Sequence, residues 1–465
     1  MKKQFRDRYG NTGIVPRTPA NDGLWLSVLL TVCYAMNIWT LDEVQISSSY
    51  RHSAIVCFGL FLHSVYTFVT HRSTQKSICT ALNIGLISFL LDICLGDNIY
   101  LSIACGFSTI ILYNYVYFCV LREMPQCFTL GEAAIVCQGF VIFLYQAFLN
   151  VPRIFIDERI TSETRLINIV LQIILLATCL IITLCRFRIF RGTVMFWATT
   201  STIIIGTIIF PIYEQILFVV LLEFIFNDLK RIAAIAFYMI LLLVTGLFAT
   251  WQANRSATVN TTTRKIFHIL ILMVYLHGLL YQCTLLYVAS TLMLVLLLIL
   301  ETARAIKLQP IYKLLERVVI CFIDEKDTGS VALTPVYLLV GCSLPMWLHP
   351  VVCDLTDSAG HNLIKLMAGV LSVGIGDTAA SVCGYNFGKH KWPGSVKSVE
   401  GTLASIAAQA GMVFILFKMS FIHLSTVRAA NTGVAIIVNA LVEAKTNQID
   451  NLVLPLVTYI ILCAI

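Results

Sequence analysis

The sequence predicts an all-α, polytopic integral membrane protein, and three observations carry this prediction. Of the 465 residues, 58% are hydrophobic and only 12% are charged, whereas soluble globular chains carry about 25% charged residues. The mean hydropathy is +0.85. Apolar runs near the roughly 20 residues that a transmembrane helix needs recur along the whole chain. These observations exclude soluble, disordered and fibrous classes, and they predict about 13–16 transmembrane helices.

The first element is a short basic tail. Residues 1–22 contain five basic residues before the first apolar run begins at Leu24, namely Lys2, Lys3, Arg6, Arg8 and Arg17. The tail resembles the front of a signal sequence, but further spans follow at once and no small-x-small cleavage site is evident. We therefore expect residues 1–22 to be a cytosolic tail that precedes a retained first anchor.

Residues 23–250 are predicted to be an N-terminal transmembrane region of unknown role. Its apolar runs begin near Leu24, Ala54, Ile78, Ile99, Phe128, Leu166, Val194, Ile216 and Ile232. The loops between these runs carry no motif that indicates chemistry. We therefore assign this region no catalytic residue.

Residues 251–465 are predicted to be the C-terminal catalytic transmembrane region. Its apolar runs begin near Ile266, Cys283, Val331, Leu363, Leu403, Val427 and Leu452. The loops here gather Gly, Asp, Glu, Lys and Pro in dense combinations. The longest polar stretches of the chain are only loop-sized, at 150–165, 252–265, 301–330 and 385–402. Any site must therefore be built from helix ends and short loops.

Charge and cysteine content exclude several function classes. The net charge is +7, and the basic residues form short clusters between apolar runs. This pattern suits loops near an anionic leaflet or an anionic substrate better than a nucleic-acid surface. The 16 cysteines are spread through the apolar runs without any C-x-x-C spacing. We interpret them as small buried hydrophobic residues rather than zinc ligands or a disulfide framework.

The loop 385–402 and the segment before it predict a polyphosphate site. Six glycines between 374 and 401 let the backbone approach a ligand closely. Positive charge and hydroxyl groups come from Lys389, Lys391, Lys397, Ser395, Ser398 and Thr402. Ser398 is a predicted N-cap, which would aim free N–H groups and the positive end of a helix dipole into the loop. The alternative is a solvated, positive-inside connector.

Three carboxylates are candidates for a cation site. Asp377 lies in an otherwise uncharged run, where an ionised group is costly and indicates a cation or a functional partner. In a phosphoryl-transfer site it would either bind Mg²⁺ or accept the proton of the attacking hydroxyl. Glu443 and Asp450 are about two helical turns apart and would share a face of a continuous helix. They either complete the cation site or form an ordinary polar helix junction.

Further charged residues lie at the ends of two other spans. Arg264 and His268 are four residues apart on one helical face, next to Lys265. Arg264 and Lys265 either anchor the span at its positive-inside end or clamp a transferring phosphoryl group, with His268 orienting them. Glu301 and Arg304 are predicted to form an i,i+3 ion pair.

Residues 376–402 resemble the CTP-binding segment of the dolichol kinases. The resemblance rests on Gly376-Asp377-Thr378 and on Trp392-Pro393-Gly394-Ser395-x-Lys397-Ser398-x-Glu400-Gly401-Thr402. Segments 263–268, 324–345 and 443–455 fit the same family. Family members often have Thr where this chain has Ser395 and Ser398, a change that keeps the hydroxyl group.

The resemblance implies an endoplasmic-reticulum membrane enzyme that transfers the γ-phosphoryl group of CTP to the terminal hydroxyl of dolichol. The product, dolichyl phosphate, would serve protein glycosylation. The implied catalytic residues are Asp377, Lys397, Arg264, Lys265 and His268. The implied nucleotide-binding residues are Lys389, Lys391, Pro393, Gly394, Ser395, Lys397, Ser398, Glu400, Gly401 and Thr402. A divalent cation, Mg²⁺ or Ca²⁺, would be held by Asp377, Glu443 and Asp450.

The expected partners are therefore dolichol, CTP and the bilayer, with no nucleic acid. The active site would face the cytosol, because CTP is cytosolic and the loop lysines are positive-inside. Other CTP-dependent lipid enzymes are the nearest rivals, namely a diacylglycerol kinase, a phytol kinase or a cytidylyltransferase. A polytopic transporter is a further alternative, but it should place ionisable residues at the membrane midplane rather than in the loop 385–402.

Overall fold

The computed structural model describes residues 14–18, 20–42, 46–69, 73–156, 163–255, 261–320, 329–350 and 363–464. Within these ranges the only strands are β1 (Pro211–Ile212) and β2 (Gln215–Ile216), which pair in an antiparallel hairpin. Helices make up the remaining regular structure. The all-α prediction is therefore confirmed. The predicted tail residues 1–13 and residues 324–328 of the family-like segment lie outside the described ranges.

The N-terminal region begins with a 3₁₀ turn, Leu24–Val28, that runs into the first helix. Its helices are α1 (Leu29–Thr40), α2 (Ser48–Val69), α3 (Ser73–Leu95), α4 (Ile99–Glu123), α5 (Leu130–Asn150), α6 (Arg153–Ile156), α7 (Glu163–Leu184), α8 (Thr193–Ile208), α9 (Leu217–Phe226) and α10 (Leu229–Arg255). A second 3₁₀ turn, Arg188–Arg191, precedes α8. A capping box starts α5, in which Thr129 and Glu132 satisfy each other's backbone N–H groups.

The C-terminal region carries the segments from which the candidate site is built. Its helices are α11 (Thr261–Tyr281), α12 (Cys283–Ala305), α13 (Tyr312–Ile320), α14 (Thr334–Leu348), α15 (Leu363–Leu366), α16 (Thr378–Phe387), α17 (Val399–Lys418), α18 (Thr426–Lys445) and α19 (Asp450–Leu462). A π-helix, Val370–Asp377, stands directly before α16. The predicted N-cap at Ser398 is confirmed, because its side chain accepts a hydrogen bond from the N–H of Gly401.

Eight helices in the described ranges are long and apolar enough to cross a membrane. Six shorter apolar helices of 10–17 residues accompany them, and three of these, α14, α19 and the apolar part of α11, border the candidate site. The eight long helices of the described ranges confirm the polytopic prediction.

Close packing of α14 against α19 depends on a glycine. A Cβ atom on Gly341 would lie 1.9 Å from the carbonyl oxygen of Asn451, the second residue of α19. Gly369 also packs against α14, since a Cβ on Gly369 would lie 2.4 Å from the Gly341 carbonyl oxygen. No larger residue fits at either position without moving backbone. Gly341 therefore allows the start of α19 to pack closely against α14.

The predicted N-terminal and C-terminal regions share one hydrophobic core. One buried cluster extends from Ile14 to Cys463 and contains residues of both regions. A polar hub lies within it, where the Asn37 amide donates to the Tyr50 hydroxyl at 2.8 Å and accepts from the Tyr459 hydroxyl at 3.0 Å. Buried polar groups with such partners fix one arrangement of helices. The hub ties α1 and α2 to α19.

The cysteines of the described ranges are mostly apolar packing residues, as expected. Cys57, Cys105, Cys137 and Cys342 are free and buried. Cys283 is different, because it is disulfide-bonded. The interpretation of the cysteines as buried hydrophobic residues therefore does not extend to Cys283.

The predicted ion pair at the end of α12 is confirmed, and its two side chains also bond to the backbone at residues 330 and 332. An Arg304 guanidinium nitrogen lies 2.6 Å from a Glu301 carboxylate oxygen. The same carboxylate accepts the Ala332 N–H at 2.7 Å, and Arg304 donates to the Ser330 carbonyl at 3.1 Å. This pair therefore fixes the segment that leads into α14.

The Gly341 contact predicts a position-specific loss of stability. Gly341→Ala should lower the melting temperature in detergent, because overpacking against backbone costs about 1–3 kcal/mol and exceeds the helix-propensity gain of about 1 kcal/mol. Gly411→Ala is the matched control in helix α17, since a Cβ there would meet nothing within 4 Å. Equal melting temperatures for the two variants, measured by size-exclusion chromatography after heating, would contradict the packing role of Gly341.

Candidate active site

A cavity of about 410 Å³ lies where α11, α14, α16, α17 and the turn before α19 meet. Its polar lining includes Lys265, Asp377, Lys397, Glu443 and Asp450. Other parts of its wall are apolar. The cavity therefore combines dense charge with hydrophobic surface inside the helix bundle.

Asp377 is the centre of the first charged group. Its carboxylate Oδ2 lies 2.6 Å from the Lys265 Nζ and 3.5 Å from the His268 Nε2, both on α11. The Ser381 hydroxyl, one turn further along α16, lies 3.4 Å from the other carboxylate oxygen. Asp377 is only 8% exposed. A carboxylate buried this far stays ionised only if a partner such as Lys265 compensates for the lost hydration.

The π-helix places Asp377 in this group. A π-turn is wider than an α-turn and is frequent at functional sites. The segment ends at Asp377, and all eight of its residues are buried. Gly376 lies against the polar side chain of Gln409 on α17, with a Cβ position only 2.6 Å from the Gln409 Nε2. The irregular turn therefore packs tightly while it directs Asp377 into the cavity.

Lys397 is the centre of the second charged group. Its Nζ lies 2.7 Å from the Glu443 Oε1 and 3.5 Å from the Asp450 Oδ2, and it donates to the Glu443 carbonyl oxygen at 2.5 Å. Burial by itself lowers the pKa of Lys397, but the carboxylates of Asp450 and Glu443 outweigh burial and leave this pKa raised above its ordinary value. Lys397 therefore carries its positive charge throughout the physiological pH range.

The three carboxylates of the two groups lie close together. One oxygen each of Asp377, Glu443 and Asp450 can be chosen so that all lie within 4.8 Å of one another. Oxygen ligands from carboxylates are the donors that hard divalent cations such as Mg²⁺ and Ca²⁺ prefer. The donor set therefore fits the predicted cation. The predicted sharing of a helical face is wrong, however, because α18 ends at Lys445 and a turn at 446–449 brings Asp450 back beside Glu443.

The loop between α16 and α17 is a short hairpin. The Val399 N–H donates to the His390 carbonyl at 2.8 Å, and the Trp392 N–H donates to the Lys397 carbonyl at 3.0 Å. Gly394 has φ of 73° at the hairpin tip, a backbone conformation that favours glycine. These contacts place Lys397 on the part of the hairpin that returns towards the cavity.

The start of α17 also faces the cavity, which is lined by Ser398, Gly401 and Thr402. A Cβ on Gly401 would lie 2.7 Å from the Ala380 carbonyl oxygen, so α16 and α17 are in near backbone contact there. The Trp392 indole N–H donates to the Thr402 hydroxyl at 2.9 Å. The N-terminal N–H groups of a helix attract anions. The Val399 and Gly401 N–H groups already have acceptors in His390 and Ser398, so this helix start attracts an anion chiefly through the positive end of its dipole.

The residues predicted from sequence fall into two sets. Those that line the cavity are Lys265, His268, Asp377, Lys391, Lys397, Ser398, Gly401, Thr402, Glu443 and Asp450. Lys389, Pro393, Gly394, Ser395 and Glu400 are not among its lining residues. The first four belong to the hairpin, and Glu400, in the first turn of α17, pairs with His390 of the hairpin at 2.6 Å. Arg264 belongs to α11, but its side chain lies outside the described part of the structure.

Several lining residues were not singled out from the sequence. Ser381 could have been found, because it lies one helical turn after Asp377. Thr334, Pro335, Tyr337 and Tyr385 also line the cavity. No sequence pattern marks them as lining residues, because their position at the cavity depends on how α14 and α16 pack.

Comparison with known proteins gives a consistent result. The family model described as dolichol kinase matches residues 74–338. Dolichol kinase of Mus musculus is 34% identical over 76% of this chain and 68% of its own length. Dolichol kinase of Homo sapiens is 31% identical over 99% of this chain and 87% of its own length. Dolichol kinase EVAN of Arabidopsis thaliana is 26% identical over 94% of this chain and 79% of its own length. No solved structure matches the chain.

Proposed function

This chain belongs to the dolichol kinase family, and from that premise we propose that it transfers the γ-phosphoryl group of CTP to the terminal hydroxyl of dolichol. The product would be dolichyl phosphate for protein glycosylation at the endoplasmic-reticulum membrane. The observation that carries the proposal is one cavity among membrane helices that is lined by Lys397, three carboxylates and the start of α17.

The chain's own residues can bind a triphosphate from two sides. Lys397 and Lys391 line the cavity beside the start of α17, where the positive end of the helix dipole favours anions. Lys265 approaches from α11, 2.6 Å from Asp377. Charge-assisted contacts of this kind position phosphate oxygens and neutralise charge that develops during transfer. Positioning of the reactants and neutralisation of charge are the main contributions that a protein makes to phosphoryl transfer.

Asp377, Glu443 and Asp450 would hold the divalent cation, which neutralises phosphate charge and helps to align the reacting groups when bound. Asp377 has two possible roles, as a cation ligand or as the acceptor of the proton from the dolichol hydroxyl. His268 and Lys265 orient its carboxylate in either role. Both roles need the negative charge of Asp377.

The apolar part of the cavity suits a lipid acceptor. Phe267, Pro335, Tyr337, Leu338 and Ile449 contribute to the lining. A polyprenol chain stays in the bilayer, because each CH₂ moved into water costs about 0.8 kcal/mol. Only the hydroxyl end therefore needs to reach the charged groups. This division between apolar and charged walls favours a lipid alcohol as acceptor.

The orientation of the site is part of the same proposal. Lys389 and Lys391 are exposed on the hairpin. Clusters of Lys and Arg favour the cytosolic side of a membrane. A hairpin on that side would have direct access to cytosolic CTP.

Lys397 provides the first test of the proposed function. Lys397→Ala removes a charge that lies between Glu443 and Asp450, and it should lower CTP-dependent phosphorylation of dolichol by about two to three orders of magnitude. Lys418→Ala is the matched control, since Lys418 is exposed at the far end of α17 and does not line the cavity. Activity is measured with purified, folded protein. Near-normal turnover of Lys397→Ala would contradict the nucleotide-site proposal.

Asp377 provides the second test. Asp377→Asn keeps the size of the side chain but removes its charge, so activity should collapse and excess Mg²⁺ should restore little of it. Asp92→Asn is the control, because Asp92 also lies in an apolar helix and has no predicted role. If Asp377→Asn retains activity at normal Mg²⁺ concentrations, its carboxylate is neither ligand nor base.

A further inference from the structure

The turn at residues 446–449 decides where Asp450 lies. Asp450 is the first residue of α19, and Ile449 before it offers no side-chain cap to the helix. Glu443, the neighbouring carboxylate, is fixed on the last turns of α18. The distance between these two carboxylates therefore depends on what holds the backbone of the turn.

The turn is held by a residue of the N-terminal region. The Ile449 N–H donates to the Glu132 carboxylate Oε1 at 2.9 Å. The other carboxylate oxygen of Glu132 accepts the Thr129 N–H at 2.8 Å. Glu132 has no exposed surface. Its carboxylate thus connects the start of α5 to the backbone N–H of Ile449, the residue directly before Asp450.

Arg17 supplies the charge that a buried Glu132 requires. Its guanidinium lies 2.5 Å from the Glu132 Oε1, and Arg17 is itself buried. A buried ion pair of this kind is costly to break, by about 3–5 kcal/mol, because it leaves an uncompensated charge. A Cβ on Gly131 would lie 1.8 Å from the Gly23 carbonyl oxygen, so the segment after Arg17 is packed tightly on α5.

A second tie runs beside the first. The Thr129 hydroxyl donates to the Gln448 side-chain oxygen at 2.7 Å. The Gln448 amide nitrogen donates to the Asn21 carbonyl at 2.9 Å. Gln448 is 2% exposed. The turn therefore contacts both α5 and the segment that precedes the first helix.

We infer that Glu132, paired with Arg17, is a positioning residue that holds Asp450 in the cation site through the Ile449 peptide group. Arg17, Thr129 and Glu132 do not line the cavity. They affect the site only through their contacts with the turn at 446–449. Through these contacts the N-terminal part of the chain helps to position a cation ligand. The inference rests on the proposed function, in which Asp450 is a cation ligand.

The inference predicts a change in cation affinity rather than a general loss of structure. Glu132→Gln keeps the shape of the side chain but leaves Arg17 without its counter-charge. It also leaves one carbonyl oxygen to accept the N–H groups of Thr129 and Ile449, where the carboxylate offers two. Displacing a support behind a ligand typically weakens metal binding by about tenfold or more. The concentration of Mg²⁺ for half-maximal activity should rise by that factor. Titration of the purified protein with Mn²⁺, followed by electron paramagnetic resonance, should show the same shift without turnover.

Two further variants separate positioning from stability. Gln448→Met removes the hydrogen bonds of Gln448 to Thr129 and Asn21 without leaving a buried charge. It should weaken cation binding as Glu132→Gln does, and it provides the test if Glu132→Gln fails to fold. Gln138→Ala is the matched control, since Gln138 is also buried on α5 but bonds to Ser64 at 3.1 Å. It should lower stability while cation affinity stays unchanged.

The outcomes distinguish the inference from the proposed function. Unchanged cation affinity in folded Glu132→Gln or Gln448→Met would overturn the positioning role. An equal shift in Gln138→Ala would overturn it as well, because loosening of α5 in general would then explain the effect. Wild-type protein that needs neither CTP nor a divalent cation would overturn the proposed function and, with it, the inference.

Discussion

Charge compensation among buried carboxylates is the constraint on which the site depends. Asp377, Glu443 and Asp450 bring three carboxylates within 4.8 Å, and Asp377 and Glu443 are nearly inaccessible to water. Each ion removed from water costs several kcal/mol unless opposite charge lies beside it. Lys265 and Lys397 provide that charge at 2.6 and 2.7 Å. The two lysines leave one negative charge uncompensated if all three carboxylates are ionised, which favours a cation in the same place.

The helix packing serves this cluster of charges. Close contacts at Gly341 and Gly401 bring α19 and α17 near the cavity, and the π-helix turns Asp377 into it. The N-terminal region contributes through Glu132, whose carboxylate reaches the turn that leads to Asp450. The family match at residues 74–338 includes Glu132 and Lys265. Both the N-terminal and the C-terminal region thus contribute to the geometry of the charged site.

Much of the fold and part of the site could be predicted from sequence. Hydropathy predicted the helical membrane class, and an acidic residue in an apolar run drew attention to Asp377. The Ser398 cap followed from local chemistry, because an N-cap depends on neighbouring residues only. The turn at 446–449, the role of Tyr385 in the lining and the Glu132 contact could not be predicted. They depend on how segments that are distant in sequence pack together. Glu132 and Ile449, for example, are separated by 317 positions.

A competition between donors and acceptors tests the central claim most directly. Purified protein is given Mg²⁺ with equal amounts of dolichol, phytol and diacylglycerol, and with either CTP or ATP. The account predicts that dolichyl phosphate is the main product, with a higher kcat/KM for dolichol than for the other lipids and a clear preference for CTP. A preference for diacylglycerol or phytol, or equal rates with ATP, would contradict it.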